Sequence, residues 1–163
     1  MSWIFLDTTC QESSRNEVEF GICDNEDGTK AYTDISNSEN WIAKVLNPNE
    51  IDVSFIAVDK CIFQDSDEPG RGRCDGILLT DDQLYFVELK NQKKSWINDA
   101  ISQLESTIDF FKESHDIQEF KHKKAFACNK KFKYFQEIDN ELNLEFFRKH
   151  KVRIDIQSDI III

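Results

Sequence analysis

Glycine and proline are scarce in this chain of 163 residues, five and two respectively, which excludes collagen-like repeats and the Pro/Gly-rich tracts of disordered proteins. No stretch approaches the ~20 consecutive apolar residues of a membrane-spanning helix. Met1-Ser2-Trp3-Ile4-Phe5-Leu6-Asp7 lacks the basic segment and long apolar run of a secretory leader. A cytoplasmic protein without membrane contact is therefore expected. His115, His122 and His150 have no ligand spacing among themselves, and there is no phosphate-binding glycine loop or nucleophile elbow. Nucleotide triphosphatases and serine hydrolases gain no support. The cysteines are odd in number and widely spaced: Cys10, Cys23, Cys61, Cys74 and Cys128. Neither a CxxC metal site nor a disulfide framework is suggested, and reduced, mostly buried thiols are expected.

What is present is enough apolar material for a core. Hydrophobic residues make up 40% of the chain, with 13 phenylalanines, and the length suits one domain spanning residues 1–163. The formal net charge of -11 argues at first against a nucleic-acid partner, because an acidic surface repels phosphate. The distribution changes that conclusion. Residues 1–70 hold 15 Asp and Glu against 4 Lys and Arg, whereas residues 71–163 hold 16 of each, so the first segment carries the whole excess.

Along the chain, Val18 to Cys23 and Lys30 to Asp34 flank the turn-forming Asn25-Glu26-Asp27-Gly28 and read as a hairpin. Ser36 or Ser38 can cap a helix running to about Leu46, with Trp41, Ile42 and Val45 at helical spacing. Ile51 to Phe63 reads as a long strand with an irregularity inside, and Gln64 to Gly72 as a polar loop. Cys74 to Thr80 and Leu84 to Lys90 form two apolar strands joined by Asp81-Asp82-Gln83, an antiparallel hairpin. The recurrence of Trp96, Ile97, Ala100, Ile101, Leu104, Ile108 and Phe111 predicts an amphipathic helix over about 95–114. Lys124 to Cys128 follows as a strand, Ile138 to His150 as a helix, and Val152 to Ile163 as a β-branched terminal segment. The closing isoleucines, 160–163, are expected either to form a buried strand or to pair with a second copy, giving a homodimer.

Asp75 is followed after twelve residues by Glu88-Leu89-Lys90. Side chains alternate along a strand, so Glu88 and Lys90 share a face while Leu89 points to the opposite layer. Two carboxylates and an ammonium then converge at one end of a sheet. Hard carboxylate oxygens suit Mg²⁺ or Mn²⁺, with a backbone carbonyl near Leu89 as a further ligand. Lys90 would help place or activate an attacking water.

The segments Arg73-Cys74-Asp75-Gly76-Ile77 and Tyr85-Phe86-Val87-Glu88-Leu89-Lys90 resemble the signature of PD-(D/E)XK nucleases, the group of restriction enzymes, Holliday-junction resolvases and repair nucleases. The resemblance covers roughly residues 36–130 and departs from the pattern in having Cys74 where the family name has proline. It implies an α/β fold with a restriction-endonuclease-like core, a mixed central sheet flanked by helices in the order αβββαβ, here with an N-terminal hairpin and a C-terminal helix-strand addition. It further implies metal-dependent hydrolysis of nucleic acid, DNA before RNA, with Asp75 and Glu88 on the metal. Gln103 matches a helix glutamine that approaches the site in many members. Glu39, with Glu50 as its rival, matches a first-helix glutamate at the metal. By analogy, a small nuclease of this kind would belong to a bacterial defence or mobile-element system.

For nucleic-acid contact the best-placed groups are Arg71 and Arg73, on the loop leading into Asp75. Lys121, Lys123, Lys124, Lys130, Lys131 and Lys133, interleaved with Phe126, Phe132, Tyr134 and Phe135, could line a phosphate track or merely protect a strand edge. Two alternatives stand beside the nuclease. One is a catalytically silent module docking a protein partner through residues 1–70. The other is an acidic mimic of nucleic acid, for which an intact Glu-x-Lys pair would be needless.

Overall fold

The computed structural model describes residues 4–6, 9–68, 71–132 and 140–163. Their backbone forms two sheets and two helices. The larger sheet contains β4 (Ser54–Ala57), β5 (Gly76–Leu79), β6 (Gln83–Lys90), β7 (His122–Asn129) and β8 (Arg153–Ile156), adjacent in that order. The first three strands pair antiparallel, while β7 and β8 join parallel to β6 and β7. The smaller sheet has the order β2 (Tyr32–Asp34), β1 (Glu19–Cys23), β3 (Ala43–Leu46), β9 (Asp159–Ile161). Helix α1 (Ile97–Ser114) connects β6 to β7, and α2 (Asn140–His150) precedes β8. Neither is long and apolar enough to cross a membrane.

The larger sheet is buried on both faces. On one, Ile56, Ile77, Leu84, Phe86, Ala125 and Ile154 pack with Ala100, Leu104, Ile108 and Phe111 of α1 and Phe146 of α2. On the other, Phe55, Leu78, Tyr85, Val87 and Phe126 meet Phe20, Ile22, Ala43, Val45 and Ile160 of the smaller sheet, with Ile162 just beyond it. A strand covered on both sides reads as a continuous apolar run, which is why Leu84 to Leu89 shows no alternation until Glu88 interrupts it. The α/β class, the early hairpin, the β5–β6 hairpin and both helices agree with the sequence reading.

Three expectations are corrected. The helix proposed up to Leu46 is a short 3-10 turn, Ser38–Asn40, capped by Asn37, followed by β3. Ala43 and Val45 are buried and Lys44 exposed, a strand alternation hidden beneath an equally good helical spacing. Tertiary pairing decides it, since β3 lies between β1 and β9. Trp41 also packs over Gly21 so closely that a Cβ there would lie 1.9 Å from the indole ring, and its Nε1–H donates to Asp34 Oδ2 at 2.9 Å. The element order around the candidate site is therefore strand, strand, strand, helix, strand, with no leading helix.

The long strand expected over 51–63 shrinks to β4. Beyond Ala57 the chain turns, with Phe63 N–H donating to Val58 O at 3.0 Å and Lys60 at a positive φ of 69°. Third, Cys10 and Cys61 form a disulfide, while Cys23, Cys74 and Cys128 are free and buried. Their separation of 51 residues conceals the pairing. It arises because the segment before β1 runs alongside β4, with Ala57 N–H donating to Cys10 O at 3.0 Å and Glu12 N–H to Phe55 O at 2.8 Å.

Candidate active site

β5 and β6 carry the site because their register is fixed on both sides. Asp75 stands immediately before β5. Its N–H donates to Val87 O at 3.1 Å, and its own carbonyl accepts from Val58 N–H at 2.9 Å. Cys74, fully buried, donates its N–H to Thr107 Oγ1 at 2.6 Å, and that hydroxyl donates to Gln103 O at 2.9 Å. A proline at 74 would have no N–H for this bond, so the departure from the PD pattern has a local physical reason: α1 holds the strand entrance by a hydrogen bond that only a non-proline residue can make.

Glu88 lies on the helix-facing row of β6, and Leu89 packs into the opposite core. Glu88 is only 5% exposed. Its Oε2 is 3.2 Å from Lys90 Nζ, whereas its buried Oε1 has no hydrogen-bond partner among the described residues. The neighbouring like charge is the Asp75 carboxyl, which pushes the Glu88 pKa up. Asp75 Oδ2 accepts the Leu89 N–H at 2.7 Å. Because the N–H and C=O of one strand residue point to the same side, the Leu89 carbonyl also points toward Asp75, beyond the end of β5.

The electrostatics of the pair are unfavourable without a cation. Burial pushes the Asp75 carboxyl up to about 7, against the Leu89 N–H that favours its charged form; the charges of Asp24 and Asp59 add to the rise. Glu88 is raised well above the carboxylate range, by burial first and then by Asp75, with Lys90 opposing. Each carboxyl therefore disfavours ionisation of the other. Among the described residues no group of three or more His, Cys, Asp and Glu side chains is arranged to hold a metal. A divalent ion would rest on Asp75, Glu88 and the Leu89 carbonyl, with waters completing its shell. That is a normal donor set for Mg²⁺, which commonly uses one or two carboxylates and keeps several waters. The unsatisfied Glu88 Oε1 is the feature that fits it.

These groups open into a cleft of about 440 Å³ whose charged lining is balanced, Glu26, Asp59, Asp75 and Glu88 against Lys60, Arg71, Arg73 and Lys90. Arg73 is committed to the protein: its Nε is 3.1 Å from Asp59 Oδ1, its Nη1 donates to Asp67 O at 2.9 Å, and its backbone N–H donates to Gln103 Oε1. Arg71 is exposed at the rim with its guanidinium carbon 3.6 Å from the Phe110 ring centroid. Lys60 pairs with Asp65.

Of the residues singled out from the sequence, Asp75, Glu88, Leu89, Lys90, Gln103, Arg71 and Arg73 come together in this cleft. Gln103 spends its carbonyl oxygen holding the Arg73 backbone. Glu39 does not join them: it is exposed on the 3-10 turn, because the helix meant to carry it does not form. Glu50, its rival, sits exposed in a turn at a φ of 52°. Lys124 shares the strand face of Phe126, opposite to Glu88, and pairs with Asp155 at 3.3 Å. Lys130 and Lys131 line a separate groove with Trp41 and Phe132. Lys133 lies outside the described residues.

Four contributors escaped the sequence reading. Asp59 holds Arg73, and its acid inside an apolar run could have flagged it. Thr107 holds Cys74. Asn129, fully buried, donates from Nδ2 to Gln92 O at 2.7 Å and accepts at Oδ1 from Lys131 N–H at 3.0 Å, tying together the loops after β6 and β7. Glu26 reaches the cleft from the β1–β2 turn, which no local signal announces. Comparison of the chain with protein-family models, curated proteins and solved structures finds no match.

Proposed function

We propose that the protein is a Mg²⁺- or Mn²⁺-dependent nuclease of the PD-(D/E)XK type, hydrolysing phosphodiester bonds in nucleic acid, with DNA the more favoured substrate. The observation that carries the reading is the convergence of Asp75, Glu88 and Lys90 at one end of the β5–β6 hairpin, with a buried carboxylate oxygen left unsatisfied. A meander of three antiparallel strands, a helix bearing Gln103 and a parallel fourth strand also suit a restriction-endonuclease-like core, here without its leading helix.

Asp75 and Glu88 would hold the ion, and the Leu89 carbonyl would add a third oxygen. When bound, the ion would polarise a phosphoryl oxygen and make a coordinated water more acidic. Lys90 Nζ, 3.2 Å from Glu88 Oε2, would orient the attacking water and offset charge on the phosphoryl group. Arg71 is the rim cation with no carboxylate partner among the described residues, and so the group best able to meet a phosphate.

The test is purified protein with Mg²⁺ or Mn²⁺ against plasmid, linear duplex and single-stranded DNA, and against RNA, with Glu88→Gln as control. Metal-dependent cleavage lost in the control supports the proposal. Intact substrates under all conditions would move the reading to a silent module that docks a partner through its acidic first segment.

A further inference from the structure

A second cavity, of about 710 Å³ and lined by both polar and apolar groups, lies at the other end of the larger sheet. Its lining includes Lys112 and Ser114 from the last turn of α1, His115 and Ile117 just after it, Lys123 on β7 and Lys151 after α2. Lys123 pairs with Leu84, at the opposite end of β6 from Glu88; the four intervening strand steps place it ~13 Å from the proposed catalytic carboxylates. In a chain with net charge -11, three ammonium groups around one cavity stand out.

Three lysines face one carboxylate in the lining, Asp116, with Asp109 beside Lys112, and Lys123 Nζ donates to Phe120 O at 3.0 Å. The Ser114 hydroxyl is buried with no hydrogen-bond partner among the described residues. His115 Nε2 accepts the Phe5 N–H at 3.2 Å, which leaves its proton on Nδ1 as a donor. Burial lowers the Lys112 pKa, Asp109 opposes this, and the charge of Lys151 lowers it further, so two ammonium groups are held within mutual repulsion. Asp116, the acid in the lining, is engaged in capping, since its Oδ1 accepts the Gln118 N–H at 2.9 Å. An anion with several acceptor oxygens would relieve the repulsion and satisfy the hydroxyl. Chloride, a single spherical acceptor, would offset charge but could not bridge the separate donors, and so should bind more weakly. Ile117 and the cavity size leave space for an organic substituent.

We infer that this cavity, built from Lys112, Ser114, Lys123 and Lys151, is a binding site for a phosphate monoester group, separate from the Asp75–Glu88 cleft. It does not depend on the nuclease reading. Amide NMR of the full chain in phosphate-free buffer tests it, with inorganic phosphate and adenosine 5′-monophosphate as probes and sodium chloride at matched ionic strength as control. Saturable shifts at Ser114, His115, Lys123 and Lys151 are expected with phosphate, and only weaker ones with chloride. Tighter binding of the nucleotide would show that the organic part is read, and equal binding that the site takes phosphate alone; either supports the inference. Lys112→Gln combined with Lys151→Asn should weaken binding at least tenfold. Lys112→Arg should retain it, which separates charge from packing. Shifts confined to the Asp75–Glu88 cleft, shifts matched by chloride, or undiminished binding in the double variant would overturn it.

Discussion

Replacing Asp75 by Asn tests the carboxylate pair without any substrate. The asparagine keeps an oxygen to accept the Leu89 N–H and removes the charge. In the folded chain the Asp75 carboxyl titrates near 7, against its ordinary 3.8. A carboxyl whose folded value is raised contributes fully below its unfolded value, and that contribution is lost as pH rises through the folded one. The displacement corresponds to at most about 4 kcal/mol of destabilisation at neutral pH. Because the carboxyl borders an open cleft, solvent screening reduces this to roughly 2 kcal/mol. In EDTA, Asp75→Asn should thus melt about 4–8 °C above wild type at pH 7.5 and close to it at pH 4. Mn²⁺ should act in the opposite direction. At tenfold excess over its dissociation constant it adds about 1.4 kcal/mol to wild type, or roughly 3–6 °C, and little to the variant. Differential scanning fluorimetry across pH, with and without metal, reads both effects. A variant that melts at or below wild type at pH 7.5 and responds equally to Mn²⁺ would refute the carboxylate-pair argument.

Three further outcomes are expected. Lys90→Ala should lower single-turnover cleavage by about 10²–10⁴ while leaving metal-induced stabilisation in place; undiminished cleavage would remove Lys90 from the chemistry. Arg71 and Arg73 should separate. Arg71→Ala should reduce the salt slope of duplex-DNA affinity by about 0.9, whereas Arg73→Ala, which breaks the Asp59 and Asp67 contacts, should chiefly lower the melting temperature, and the reverse pattern would mean that Arg73 is the phosphate contact. Cys10→Ser with Cys61→Ser opens a 51-residue loop and should cost up to about 4 kcal/mol on the chain-entropy estimate, measured by denaturant unfolding beside the oxidised wild type; identical midpoints, with mass spectrometry showing the bond in wild type, would contradict that estimate.

The amino-acid sequence by itself determined the elements whose periodicity is strong and local. The 3.6-residue recurrence from Ile97 to Phe111 has room for only one structure, and the apolar strands around Asp81-Asp82-Gln83 place Asp75 beside Glu88 through short-range geometry. The alternation of Glu88, Leu89 and Lys90 then assigns each side chain to its face without any tertiary contact. Tertiary structure decided what short-range pattern leaves degenerate. Trp41, Ile42 and Val45 fit a helix as well as a strand, and the pairing of β3 with β1 and β9 settles the matter by satisfying backbone groups on both sides. The Cys10–Cys61 bond, the Asp59–Arg73 pair and the clamp by Asn129 join residues distant in sequence, so their partners exist only once the strands are in register. Burial is likewise a property of the packed layers. It raises the Asp75 and Glu88 pKa values, because the packing around the end of the β5–β6 hairpin keeps water from most of both carboxyls.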